Sequence, residues 1–510
     1  MLKRKKQIKR IQKNKTNLLD LNFIIQKEIK KNRLRTKFKK NYKFNDFKEI
    51  SLNTKRHKNY THIPFVTIDG EESKDFDDAI YASSNKDNFV VMTAIADVSY
   101  YVKANSNLDN EAKERANSFY FPGMVIPMLP EFLSNNLCSL VPNEKRLCLV
   151  VEIEINSEGS IVKKKISRGI IKSRAKLTYN EVQNHIDKKN VLERDIGKHI
   201  DNIVKAYDSL KKGSLNRGKI ELDIEEYEIK YLSEINQFKF SKKKSLISMK
   251  LIEEFMIITN KAIADFSKEK KIKILYRNHN KPSIEKMEKL KEFLKMFKNY
   301  LFNENSNLNI EFNKILKNKK DEKYNLLKDV ILKCQSKATY NFNNEGHFGL
   351  ALKSYTHFTS PIRRYSDLVV HREVCNFISN GDDKKTQNVN EILCSHLLEQ
   401  EKKSENIERS IKEKACCIYL SKIKKKFFLG FIDGITEFGI FIKSCELPFS
   451  GLARIRDINS DYNIFNVKNN FISGKNKGIK FEMGQKVTFK IKKNNIERGL
   501  ISLEKIRHEN

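Results

Sequence analysis

One acidic stretch constrains the fold more than any other: Thr67-Ile68-Asp69-Gly70-Glu71-Glu72-Ser73-Lys74-Asp75-Phe76-Asp77-Asp78-Ala79-Ile80. It holds six carboxylates, four of them aspartates at positions 69, 75, 77 and 78. Strand-like residues flank it, with Ile63, Phe65, Val66 and Ile68 before and Ala79, Ile80 and Tyr81 after. The pattern predicts an acidic loop between two strands. Such a cluster repels itself unless a positive charge sits in it. Oxygen-only donors in a chain of formal charge +35 point most simply to a hard divalent cation, magnesium or manganese. The bland alternative is a solvated loop, and Phe76 running straight into Ala79-Ile80 argues against it. A calcium loop of EF-hand type starting at Asp75 fails. It puts Ile80 where glycine belongs and Lys86 where the bidentate glutamate belongs.

The rest of the composition narrows the class. A chain of 510 residues has room for several domains, and 39% hydrophobic residues suit a globular protein. No apolar run is long enough to span a bilayer, and no signal-peptide core follows the basic N-terminus. The cysteines are scattered, without Cys-x-x-Cys, and there is no His-Glu-x-x-His. That argues against zinc and for a reducing, cytoplasmic setting. Lys and Arg number 99 against 64 Asp and Glu, which implies an anionic partner, most often nucleic acid. A Lys-, Asn- and Ile-rich chain without Trp also fits an A/T-biased genome, so part of the excess is drift on solvated faces.

The expected organisation is α+β in three parts. Residues 1–55 form a basic extension with one helix and a linker. Residues 56–425 form a mixed-sheet domain packed with helices. Residues 426–506 form a β-barrel of OB type. In the extension, Leu18, Leu19, Leu21, Ile24, Ile25 and Ile29 carry a weak helical pattern among many Lys and Arg. It reads either as a phosphate-gripping arm or as a frayed terminus. Residues 42–62 read as linker. Strands are expected at 89–98, 147–155 and 161–170, a short helix at 109–116 and an amphipathic helix at 245–266 carrying Glu253 and Glu254. Residues 283–333 read as Lys-rich helix with a break at 303–309. Ser360 and Pro361 read as an N-cap and first helical residue, which places Arg363 and Arg364 in a helical first turn. Two arginines at that end suit a bound phosphate, and pairing with a core carboxylate is the alternative. Strand patterns at 428–442, 451–455, 484–491 and 499–503 make the barrel. Phe438 and Phe441 are candidate stacking platforms for bases, or else core residues, with one of each such pair facing inward.

The motifs together resemble a known family, the ribonuclease II / ribonuclease R (RNB) exoribonucleases, and most closely its bacterial ribonuclease R branch. The acidic stretch matches its catalytic signature. Tyr120-Phe121-Pro122-Gly123, Leu137-Cys138-Ser139-Leu140, Leu251-Ile252-Glu253-Glu254, Tyr276-Arg277-Asn278-His279, Gly346-His347-Phe348-Gly349-Leu350 and His357-Phe358-Thr359-Ser360-Pro361-Ile362-Arg363-Arg364-Tyr365 follow in the family's order. The resemblance covers about 60–505. It implies an RNB catalytic domain followed by an OB-fold. It also implies magnesium-dependent, processive 3′→5′ hydrolysis of single-stranded RNA to nucleoside 5′-monophosphates; the residues do not say whether a helper protein such as an RNA helicase takes part. Asp69, Asp75, Asp77 and Asp78 correspond to the metal-binding acids. Arg363, with Arg364 beside it, corresponds to the arginine on the scissile phosphate. Tyr120 corresponds to the aromatic on the last base, and Glu253 or, by preference, Glu254 to the glutamate at the terminal nucleotide.

Two departures stand out. The family's cold-shock domains have no counterpart in the roughly 60 residues before the acidic stretch. Leu222, after Arg217-Gly218, stands where the family sandwiches a base with phenylalanine. A non-catalytic RNA-binding protein on the same scaffold is the competing reading, but it should have lost a metal ligand. A sugar-indifferent nuclease is a third, because discrimination rests on a few 2′-OH contacts.

Overall fold

The computed structural model describes residues 20–43, 47, 57–222, 227–232, 237–295, 303, 306–317, 324–380, 390–467 and 471–509. Leu18 and Leu19 of the expected N-terminal helix lie outside these residues. Helix α1, Leu21–Lys31, starts at Asp20, whose carboxylate accepts the Asn22 N–H at 2.9 Å. Its apolar residues Leu21, Ile24, Ile25 and Ile29 are buried, so this part of the extension is docked rather than frayed.

A seven-stranded sheet forms the centre of the molecule. Its strands are β1 (Lys58–Asn59), β2 (Val66–Asp69), β3 (Asp78–Asn85), β4 (Asn88–Ala96), β5 (Lys145–Ile155), β6 (Ile161–Lys172) and β7 (Ala175–Thr178). The order across the sheet is β1-β6-β5-β4-β3-β2-β7. The inner pairs are antiparallel and the two outermost pairs are parallel. Continuous apolar runs make β4 and β5 central strands, paired in register from Phe89–Ile155 to Ala96–Cys148. The expected linker at 42–62 needs correction, because its end belongs to the sheet. Lys58 and Asn59 pair with Gly169 and Ile170, and Tyr60 is buried. Gly169 makes this possible, since a Cβ there would come within 2.7 Å of the Tyr60 ring. The tyrosine hydroxyl also reaches Ser167 Oγ at 2.8 Å.

Helices α2 (Arg194–Arg217) and α3 (Ile247–Glu269) pack against the sheet, and their apolar faces join its core. A hairpin, Phe119–Phe121 with Met124–Ile126, leaves the sheet after a short helix, Asn107–Arg115. Beyond α3, the Lys-rich region makes Ile284–Lys295, Leu308–Ile315 and Tyr324–Cys334, which bury their own cluster together with Ile220. Helices α4 (Tyr365–Asn380) and α5 (Glu391–Lys422) complete this part.

The helix expected from Ser360 begins at Tyr365 instead. Residues 361–364 are a turn closed by the Arg364 N–H on Ser360 O at 3.0 Å, which does not run on as helix because the Tyr365 N–H is taken elsewhere. Asp77 Oδ1 accepts the Ile362 N–H at 2.8 Å, Asn117 bridges Arg364, and Tyr365 N–H goes to Ala116 O at 2.8 Å. Tertiary hydrogen bonds override the local Ser-Pro signal.

Strands β8 (Phe428–Thr436), β9 (Gly439–Ser444), β10 (Ser450–Arg454), β11 (Lys486–Asn495) and β12 (Leu500–His508) close into a barrel of order β8-β9-β10-β12-β11. Its core holds Phe428, Phe449, Phe481 and Phe489. Phe438 and Phe441 are 69% and 41% exposed, so neither fills the core and neither of the two faces inward. Phe438 lies in the turn before β9, where Gly439 at φ +145° resets the alternation. Ile440 and Ile442 then take the inward positions. No helix among the described residues is long and apolar enough to cross a membrane.

Candidate active site

The acidic loop leaves the end of β2 and returns at the start of β3, so two adjacent strands fix its ends. Asp69 ends β2 and Asp78 begins β3. Between them Ser139 pins the loop: its Oγ accepts the Phe76 N–H at 2.9 Å and donates to Lys74 O at 2.8 Å. Leu140 N–H reaches Phe76 O at 3.0 Å, and the Phe76 ring is buried. This explains the aromatic residue inside an acidic run: Phe76 plugs into the core and turns Asp75 and Asp77 the other way. Lys176 on β7 clips the loop further, its ammonium within 3.4 Å of Glu71 O and 3.3 Å of Ser73 O.

Each aspartate has a distinct environment. Asp69 Oδ1 accepts the Gly70 N–H at 2.7 Å, and burial nonetheless raises its pKa, with Asp75 adding to the rise. Asp75 Oδ2 accepts the Tyr120 hydroxyl at 2.9 Å. Asp77 is buried, with Oδ1 on the Ile362 N–H and Oδ2 3.5 Å from Arg363 Nε. Burial still holds Asp77 well above the ordinary carboxylate range, against the pull of Arg363. Burial, then the neighbouring Asp69, pushes Asp78 up to about 7. Burial thus raises the pKa of Asp69, Asp77 and Asp78, and Arg363 opposes the rise at each of them.

Arg363 is half-exposed and its Nη2 donates to Ser360 Oγ at 3.0 Å, which aims the guanidinium across the acids. Arg364 belongs to a different network. It makes a bidentate pair with Asp367, Nε–Oδ2 at 2.9 Å and Nη2–Oδ1 at 2.7 Å. Asp367 Oδ1 in turn accepts the Ser360 N–H at 2.8 Å, so Arg364 braces the turn that presents its neighbour.

Tyr120 is 39% exposed, on the opposite face of its hairpin strand from buried Phe119 and Phe121. Burial, with Asp75 second, keeps its phenol protonated. Glu253 and Glu254 lie in an ion-pair cluster on α3: Lys219 Nζ reaches them at 2.6 and 2.8 Å, and Arg217 lies 3.8 Å from Glu254. Glu254 is buried and Glu253 half-exposed. Leu222 is partly buried against the cluster built around Phe312 and Leu290. Phe438 and Phe441 stand on the barrel surface.

Three contributors carried no role in the sequence reading. Ser139 and Lys176 shape the loop. Tyr179 starts the helix Tyr179–Ile186 beside Asp69 and Asp78, and burial with those two charges raises its pKa. Ser139 lies inside the Leu137-Cys138-Ser139-Leu140 motif, but Lys176 and Tyr179 carry no local signal.

Comparison with known proteins shows the family. The family model "RNB domain" matches residues 57–380. Ribonuclease R of Escherichia coli (strain K12) is 33% identical over 463 residues, covering 88% of this chain and 57% of that protein. Ribonuclease R of Mycoplasmopsis pulmonis (strain UAB CTIP) is 36% identical over 433 residues, covering 83% and 59% respectively. The chain thus spans about three-fifths of the length of these curated relatives. The solved structure of Mycoplasma genitalium RNase R in complex with ribose methylated single-stranded RNA matches with a TM-score of 0.87 and 29% identity, covering 95% of this chain and 78% of that one. With the acidic loop and the Arg363 turn both inside the matched segment, the chain belongs to the RNB family.

Proposed function

We propose that this chain is a divalent-cation-dependent 3′→5′ exoribonuclease, working in the cytoplasm, that hydrolyses single-stranded RNA to nucleoside 5′-monophosphates. One observation carries the reading: Asp69, Asp75, Asp77 and Asp78 share one electrostatic cluster with Arg363, and Tyr120 is hydrogen-bonded into it. The catalytic unit is assigned to 56–425 and the RNA-binding barrel to 426–506.

The acids fit a hard cation. Their donors are all oxygen, and burial, with neighbouring carboxylates adding to it, raises the pKa of Asp69, Asp77 and Asp78, a cost that a bound cation would relieve. Among the described residues no three Asp, Glu, His or Cys side chains close a metal cage by themselves. Magnesium needs only one or two carboxylates when phosphate oxygens and water complete its shell. Asp69, Asp75 and Asp78 have oxygens to offer, while Asp77 commits one to Ile362 and faces Arg363 with the other. When bound, such a cation activates water and neutralises the developing phosphorane charge.

The chain's own residues do the rest. Arg363 offers a fork of donors to the non-bridging phosphate oxygens and stabilises added charge in the transition state. Tyr120 offers its ring to the terminal base, and its hydrogen bond to Asp75 fixes the ring's direction relative to the acids. Glu253 or Glu254 meets the terminal nucleotide, Leu222 lies on its path, and Phe438 and Phe441 stack bases further along the strand. Stacking reads no sequence, which suits an enzyme that advances one nucleotide at a time.

The test is incubation with 5′-labelled single-stranded RNA and with DNA of the same sequence, with magnesium, with manganese and with EDTA. A descending ladder on RNA, absent in EDTA and on DNA, is the expected result. RNA bound but left intact under every condition would make the chain a binding protein instead.

A further inference from the structure

The N-terminal helix α1 and the hairpin that carries Tyr120 bury themselves in one apolar cluster. From α1 come Leu21, Ile24, Ile25 and Ile29, and from the hairpin come Phe119, Phe121 and Ile126. Ile407, Ile411, Ala415 and Ile418 of α5 supply the floor. In a strand successive side chains point to opposite faces. Packing Phe119 and Phe121 into this cluster therefore directs Tyr120 the other way, onto Asp75.

Polar contacts fix α1 in register over the hairpin. Glu28 and Lys414 form a buried ion pair between α1 and α5. Gln26 Nε2 lies 3.7 Å from Met124 Sδ at the hairpin tip. The chain then crosses the helix that precedes the hairpin. Arg115 donates to Arg35 O at 2.9 Å, to Lys37 O at 2.8 Å and to Pro127 O at 3.2 Å, clamping the strap and the hairpin's exit together. On its other side the hairpin is tied to the arginine turn, with Ser118 N–H on Arg363 O at 3.0 Å. The hairpin is thus held between the catalytic turn and α1, and α1 is the support that lies outside the catalytic domain.

We infer that α1 is a positioning element for Tyr120: Leu21 and Ile25, through Phe119 and Phe121, set where the tyrosine ring stands relative to the acids, and so set the length at which degradation stops. The inference rests on the exoribonuclease reading and deepens it. It also gives the N-terminal segment a role unlike that of a phosphate-gripping arm, since the apolar face of α1 is committed to the protein.

The experiment compares wild type with Ile25→Ala, Ile25→Val, Tyr120→Ala and the Ile25→Ala/Tyr120→Ala pair. Three readouts are taken: the limit product of 5′-labelled RNA, kcat and KM on long and short oligonucleotides, and the melting temperature. Ile25→Ala should lengthen the limit product and raise KM for short oligonucleotides about tenfold, while kcat on long RNA stays within about threefold. Ile25→Val should restore the wild-type limit product. The double variant should match Tyr120→Ala alone, because both changes act on one ring. A wild-type limit product from Ile25→Ala, or additive effects in the pair, would overturn the inference alone. A wild-type chain that leaves RNA intact overturns the exoribonuclease reading, and this inference with it.

Discussion

Asp77 holds Arg363 by backbone as well as by charge: its Oδ1 accepts the N–H of the preceding residue, Ile362, at 2.8 Å while its Oδ2 faces Arg363 Nε at 3.5 Å. The acid proposed as one metal ligand among four therefore also locates the guanidinium proposed to meet the phosphate. A change at either residue disturbs both halves of the site.

Replacing Arg363 with lysine keeps the charge but loses the fork of donors and the Ser360 contact. We expect kcat on single-stranded RNA to fall on the order of 10²–10³-fold, the range seen when one transition-state donor is lost. KM should change much less, and single-turnover kinetics would separate the two. An equal loss in KM with kcat intact would make Arg363 a binding residue only.

Asp78→Asn removes a half-buried charge without changing shape. Hydrolysis should drop by at least about 10³-fold, and RNA affinity, measured by filter binding, should hold or improve as repulsion of the phosphate eases. Magnesium should also raise the melting temperature of wild type more than that of the variant. Undiminished turnover in purified Asp78→Asn protein contradicts the assignment.

Asp97, buried beneath the sheet, gives a pH prediction away from the site. Burial alone would raise its pKa, but His57, Arg168 and Ser99 together hold it far below the ordinary value. Arg168 contacts Asp97 Oδ2 at 2.8 and 2.6 Å. A depressed carboxylate contributes stability that is present above its unfolded pKa, about 4, and is lost as pH falls toward the folded value. Arg168→Leu should therefore cost about 3–5 kcal/mol at neutral pH by stranding a buried charge. It should also move the acid-unfolding midpoint to higher pH, and circular dichroism across an acid titration checks both.

The barrel aromatics divide by face. Phe438→Ala and Phe441→Ala should leave the melting temperature unchanged and weaken RNA binding by about 1–3 kcal/mol per stacked base. Phe489→Ala, inside the barrel, should instead destabilise by about 3–5 kcal/mol. If the two exposed changes leave affinity intact, the strand takes another path.

Much of this was legible in the residues because the signals were local. Apolar runs located β4 and β5, the 3.6-residue stripe located α3, and the acidic loop declared itself by composition. The misses share a different cause. Ser360-Pro361 is a good helix start in isolation, yet Ala116 takes the Tyr365 N–H and Asn117 pairs with Arg364, so the first turn does not continue as helix. Residues 58 and 59 are strand only because Gly169, more than a hundred positions later, leaves room for Tyr60. Arg364 and Arg363 are adjacent in sequence, but only tertiary structure sends one to Asp367 and the other to the acids. The hairpin Tyr227–Leu232 with Gln237–Lys242 carries no local signal of this kind, and its Phe238 is buried in a cluster with residues of α5 far along the chain as well as beside Phe240.

The Glu28–Lys414 pair has a consequence for biosynthesis. Its partners are 386 residues apart, so α1 waits for that much further synthesis before its floor exists. At ribosomal speeds of roughly 5–20 residues per second that delay is tens of seconds. During it the apolar side of α1 is open to chaperones. Tyr120 gains its full support only when α5 has left the ribosome, so the centre proposed to degrade RNA would mature only after α5 has been translated.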